Sequence, residues 1–133
     1  MNDQIKEVFA KNMDLLTGKA FANFATLMKK GSPQVSPVWI DYDGEYILVN
    51  TAKDRQKARN VEKDPRVALS IQDPLNPYRK LLIRGKVVEI TTKGAEDHIN
   101  KLSLRYRGTS PYVKRNKDEV REIIKINPEH INT

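Results

Sequence analysis

Cysteine is absent from this sequence, and histidine appears only at positions 98 and 130. Without cysteine the chain has no disulfide scaffold, no thiolate zinc knuckle and no thiol nucleophile, a composition that fits a reducing cytoplasm. With no ligand run around either one, His98 and His130 read as surface residues rather than metal ligands. Long hydrophobic runs are missing too. Stretches such as YILV at 46–49 fall far short of the roughly 20 apolar residues of a membrane helix, so a soluble chain is expected. The opening MNDQIKEVFAKNM carries acids early and has no hydrophobic signal region, which implies mature sequence without a targeting peptide. Glycine is sparse, and its six positions (18, 31, 44, 85, 94 and 108) form neither GxGxxG nor GxxxxGK[ST]. The Rossmann and P-loop phosphate fingerprints are therefore both absent.

What the chain has is positive charge. Lysine and arginine outnumber aspartate and glutamate by 24 to 17, a formal net charge of +7, which favours an anionic partner: nucleic acid or a phosphorylated small molecule. The 133 residues fit one domain, 1–133, long enough to bury a core.

Apolar residues at Ile5, Val8, Phe9, Met13 and Leu16 recur with the spacing of one helix face, and Gly18 supplies a left-handed stop. Strands are expected at 20–28, 34–42 and 45–51, the last two joined at Asp43-Gly44, a pair suited to a tight primed turn. A short helix from Asp54, its capping residue, should end at Pro65. Strands follow at 66–72 and 78–90, separated by a rigid DPLNP loop, and Gly85 within the second marks a bulge or a close backbone approach. A helix over 91–108 and a strand over 119–127 complete the chain. No βα unit repeats, so the expected fold is mainly β (α+β), with six antiparallel strands closed into a small barrel and flanked by helices.

The densest charge lies in TAKDRQKARN at 51–60, where Lys53, Arg55, Lys57 and Arg59 face one acid, Asp54, directly after a strand. A helix start pools free amides and the positive end of the dipole, so cations converging there suit phosphate. Arg55 and Arg59, four apart, repel by about 0.2–0.5 kcal/mol unless an anion sits between them. The other reading is a solvated helix in which Arg59 pairs with Glu62 and Asp54 only caps.

The segment VNTAKDRQKARN at 49–60, followed by KDPRVALSI, resembles the cofactor-phosphate region of the split β-barrel flavin and deazaflavin proteins related to pyridoxamine 5'-phosphate oxidase. PQVSPVWI at 33–40 is similar to their ring-lining strand, and the stretch from DPLNPYRK at 73–80 through Gly108 resembles the coenzyme F420 branch. The likeness covers about residues 18 to 127. It implies that Arg55 and Lys57 hold the phosphate and that Val49, Asn50 and Thr51 contact the cofactor, Asn50 and Thr51 as donors. Ser36 and Pro37 would sit by the ring edge, Pro37 being otherwise an ordinary edge-strand proline. Arg59 and Asn60 match the motif, with local packing and capping as their alternative. The resemblance further implies a homodimer with the cofactor between subunits, reached by Tyr78 and Arg79 from the partner chain unless these only start a strand. Tyr106 and Tyr112 would face the substrate or fill the core.

The implied activity is an oxidoreductase that transfers hydride to a small electron-poor substrate, with coenzyme F420 as cofactor and FMN as the alternative. No catalytic side chain is then required of the protein, in keeping with the lack of a Ser/His/Asp constellation. A non-catalytic cofactor carrier would present the same cradle. The rival class is a nucleic-acid module built on the cations of 101–125 with Tyr106 and Tyr112 between them, although no RNP-type pattern or helix-turn-helix spacing accompanies them.

Overall fold

Residues 1–133 are described by a computed structural model. Asn2 caps the first helix, α1 (Asp3–Ala10), by accepting from the Ile5 amide at 2.8 Å. The single opening helix expected through Leu16 is broken in two. Asn12 turns its side-chain amide back onto the Val8 carbonyl (2.8 Å) and leaves helical geometry, and α2 (Met13–Thr17) restarts beyond it. Gly18 does end α2, but with φ −95° rather than in the left-handed region; it is required because a Cβ there would collide with the Asp14 carbonyl oxygen.

Seven strands form one antiparallel sheet in the order β2-β1-β5-β6-β7-β4-β3. They are β1 (Ala22–Leu27), β2 (Pro33–Val38), β3 (Asp41–Tyr42), β4 (Ile47–Ala52), β5 (Arg66–Asp73), β6 (Asn76–Thr91) and β7 (Arg121–Asn132). Six were expected, and the seventh arises because 34–42 is not one strand. Val38 ends the pairing with β1, and Asp41 begins pairing with β4 at the opposite edge. Three peptide steps from Val38 to Asp41 span at most about 11 Å. The two outer strands must therefore approach each other, and the sheet curls into an open barrel around its apolar side chains. Phe9, Leu16, Phe24, Ile40, Ile47, Ile71, Leu81 and Ile124 are fully buried in that core, with Phe9 edge-on to Tyr42 at 5.2 Å.

The β3–β4 hairpin turns on Gly44, φ +97°, while the Asp43 carboxylate accepts from the Glu45 and Tyr46 amides at 2.9 and 2.7 Å. The loop expected at 73–77 shrinks to Pro74 and Leu75, because β6 already begins at Asn76, and β7 continues past the expected end at Asn127. The β6–β7 register shifts at Gly85, where a Cβ would collide with the Asn127 carbonyl, so both the bulge and the close approach are present. Helices α3 (Gln56–Lys63) and α4 (Ala95–Arg107) lie outside the sheet, α3 against β1 and α4 against β7 and β4. No helix is long and apolar enough to cross a membrane.

Candidate functional site

The end of β4, the start of α3, the link between β2 and β3, the C-terminal half of α4 and the start of β7 meet around a cavity of about 320 Å³. Pro37, Asn50, Thr51, Arg55 and Lys57, all singled out in the sequence, line it. Arg55 occupies the N-cap position of α3 in an extended conformation (φ −73°, ψ 152°), where Asp54 was expected, and no side chain caps the helix. That backbone geometry explains why residues two apart converge. Arg55 stands outside the helical spiral, so it shares the cavity with Lys57 although a helix would point them in different directions. Burial, followed by the charges of Arg55, Arg121 and Arg115, pushes the Lys57 ammonium below the ordinary lysine value. The nearby acid Glu119 lies with Arg121 and Arg115 instead, at 3.5 and 3.8 Å. Positive charge at the α3 terminus is thus left without a carboxylate, as an anion site requires.

The facing wall is aromatic. Trp39 stacks on Tyr106, Phe21 meets Tyr106 edge-on at 5.4 Å, and Tyr112 meets Trp39 edge-on at 6.1 Å. Arg107 lies over Trp39 and Arg121 over Tyr112, each 5.0 Å from the ring centroid. The Tyr106 hydroxyl accepts from the Ile40 amide at 3.0 Å and donates to the Ala20 carbonyl at 2.7 Å. Tyr106 therefore holds the fold together and lines the cavity at once.

A polar network lies behind this wall. His98, expected at the surface, is nearly buried, with Nε2 3.0 Å from Asp41 and Nδ1 3.1 Å from the Asn50 amide nitrogen. Burial alone would raise the Asp41 carboxyl, but hydrogen bonds from His98 and Arg105 hold it well below the usual carboxylate range. Asn50 in turn accepts from Arg121 Nε at 2.9 Å.

The remaining sequence candidates lie elsewhere. Val49 is fully buried in the core. Asn60 is buried too, where it donates to Thr26 Oγ1 at 2.9 Å. Arg59 donates to the Asp54 carbonyl and to Gln56 and, unlike Arg55, does not line the cavity. Arg79 is bound within its own chain by Asp14, Asp73 and Asn12 at 2.7–3.0 Å, and Tyr78 beside it is 87% exposed. Ser36 Oγ, one residue from Pro37, is shielded from solvent and has no hydrogen-bond partner. Sequence reasoning passed over Trp39 and Phe21, read His98 as a surface residue and counted Arg107 only among the cations of 101–125. The one tryptophan of the chain, two residues after Pro37, was the available signal for the first. Arg121 counted there only as one cation in a run; it reaches the site because it pairs across the sheet with Ala52. A larger groove of about 400 Å³, bordered by β1, β5 and β6, gathers none of the candidate residues.

Comparison with known proteins agrees with this architecture. The chain matches the family model described as pyridoxamine 5'-phosphate oxidase over residues 9–133. A solved structure described as an F420 reductase is 35% identical, with a TM-score of 0.79 over 90% of this chain and 94% of that one. General Stress Protein 26 from Bacillus anthracis is 18% identical, with a TM-score of 0.68 over 96% of this chain and 92% of that one. HupZ from Group A Streptococcus is 23% identical, with a TM-score of 0.60 over 98% and 92%. At those identities the last two show the fold alone. No curated protein matches the sequence.

Proposed function

This chain belongs to the pyridoxamine 5'-phosphate oxidase family, and from that premise we propose that it is an oxidoreductase using a phosphate-bearing deazaflavin, coenzyme F420, to reduce a small electron-poor substrate. One observation carries the reading: Arg55 and Lys57 converge at an uncapped helix start on an aromatic-lined cavity and meet no carboxylate there. The 35% identity with a protein described as an F420 reductase supports the choice of deazaflavin. The residues present fit such a group. The cations and α3 amides match a phosphate, and the Trp39–Tyr106–Tyr112 wall matches a flat ring.

When bound, the ring would supply two-electron chemistry, and the chain's own task is to hold, orient and desolvate. Arg55 and Lys57 would fix the phosphate, Thr51 would contact the adjoining groups, Asn50 would line the cavity with its amide hydrogens already given to Ala95 and His98, and Arg107 and Arg121 would add positive potential along the wall. The aromatic side chains would exclude water from the face on which a substrate lies. We place the site in a homodimer in the cytoplasm, with Tyr78 and Arg79 facing the partner's cofactor. The 54% exposure of Phe21, although it lines the cavity, supports a covering subunit. A parallel fluorescence titration with coenzyme F420 and with FMN tests the reading. Saturation by F420 is expected, saturation by FMN alone would replace the cofactor, and binding of neither would contradict the proposal and direct the next titration to single-stranded nucleic acid.

A further inference from the structure

Asp41 on β3, His98 on α4, Asn50 on β4 and Arg121 on β7 form a continuous row of side-chain hydrogen bonds ending at the cavity. Chemistry fixes the direction of each link. Asp41, 3% exposed, also receives Arg105 at 2.8 Å; as a carboxylate it only accepts, so the 3.0 Å contact puts a proton on His98 Nε2. In a neutral ring Nδ1 is then an acceptor, and it faces Asn50 Nδ2 at 3.1 Å. The same Nδ2 donates to the Ala95 carbonyl at 3.0 Å, so both amide hydrogens are used. Asn50 Oδ1 is left for Arg121 Nε at 2.9 Å, and the Asn50 carbonyl accepts a second Arg121 bond at 3.3 Å. Turning the amide over would set oxygen against the Ala95 carbonyl and nitrogen against the Arg121 N–H, two repulsive contacts. The orientation of Asn50 is therefore set from both ends.

We propose that His98 is a positioning residue for the anion site: through Asn50 it holds the Arg121 guanidinium against the cavity wall and over Tyr112, and so sets the affinity for a phosphate-bearing ligand. A singly protonated imidazole is a donor at one edge and an acceptor at the other, which is what a link between a carboxylate and an amide NH2 demands. Arg105 and Lys101, which also lie on Asp41, cannot replace it, because neither has an acceptor to offer Asn50. The inference rests on the functional reading above for the identity of the ligand. The hydrogen-bond directions do not depend on it.

The test has two arms. Long-range nitrogen–proton NMR of the ligand-free protein should show His98 protonated at Nε2 and not at Nδ1, together with a hydrogen-bonded Arg121 Nε–H signal that disappears in His98→Phe. An Nδ1–H ring, or an Arg121 signal untouched by the substitution, would overturn the proposal. In the second arm the affinity for F420 and for FMN is measured in wild type, His98→Phe, Arg121→Ala and the double variant. His98→Phe should weaken binding about fivefold to tenfold in the wild-type background and add nothing once Arg121 is gone, the signature of two residues acting as a unit. Equal losses in both backgrounds would show a merely structural role and overturn it. If wild type binds neither ligand, the functional reading fails, and so does the claim about ligand affinity; the NMR arm then decides the hydrogen-bond row by itself. That arm on wild type also stands if His98→Phe does not fold.

Discussion

Tyr106 lies flat against Trp39, with ring centroids 5.2 Å apart and planes within 5° of parallel. The pair joins α4 to the β2–β3 link and forms one wall of the cavity. Trp39 is the only tryptophan of the chain, so its emission reports on that wall without interference. A ligand ring seated in the cavity should quench it in a saturable way, and Arg55→Ala should move the midpoint to higher ligand concentration. Unchanged Trp39 emission at saturation would place the ligand elsewhere.

Lys57 gives the site a pH dependence of defined sign. Its ammonium is depressed in the free protein by burial and by three arginines, and a bound phosphate would raise it again. Affinity should then be flat at low pH, fall as pH rises past the free-state value, and level off above the bound-state value, with proton uptake on binding in between. Calorimetry in buffers of different ionisation heat measures that uptake, and Lys57→Arg should abolish it while keeping the charge.

Asp41 gives stability a dependence of its own. Its folded carboxyl is held below the ordinary value of 3.8, so its contribution is present in full above that pH and is lost as pH falls through the lower folded value. Asp41→Ala leaves Arg105 and His98 facing an empty position and should cost about 3–5 kcal/mol in denaturant unfolding at neutral pH. The gap between wild type and Asp41→Asn should narrow in acid. A gap of constant size from neutral pH down to strong acid would remove the carboxylate from this role.

The strands and outer helices were legible because their signals are local: period-two alternation, Asp43-Gly44 and the Pro65 stop. The seventh strand was not, since the bend at residues 39 and 40 follows from which edge each half of 34–42 joins, a long-range choice. The break at Asn12 likewise depends on a side chain competing for the Val8 carbonyl within an otherwise helical pattern. At the site, the basic stretch was visible from its charge alone. His98 was misread as a surface residue because its partners Asp41 and Asn50 are 57 and 48 positions away and leave no mark on its neighbours. The ion pair of Arg79 with Asp14 was unreadable for the same reason, the two lying 65 positions apart.

The central claim is that Arg55 and Lys57 form a phosphate cradle. The measurement that tests it most directly is the affinity for coenzyme F420 of wild type and of the double variant Arg55→Ala/Lys57→Ala, with circular dichroism and melting to verify the fold. Hydrogen bonds to charged groups are worth about 1.5–3 kcal/mol each, so loss of both should weaken binding by at least about a hundredfold while the fold persists. Undiminished affinity in a folded double variant would contradict the account.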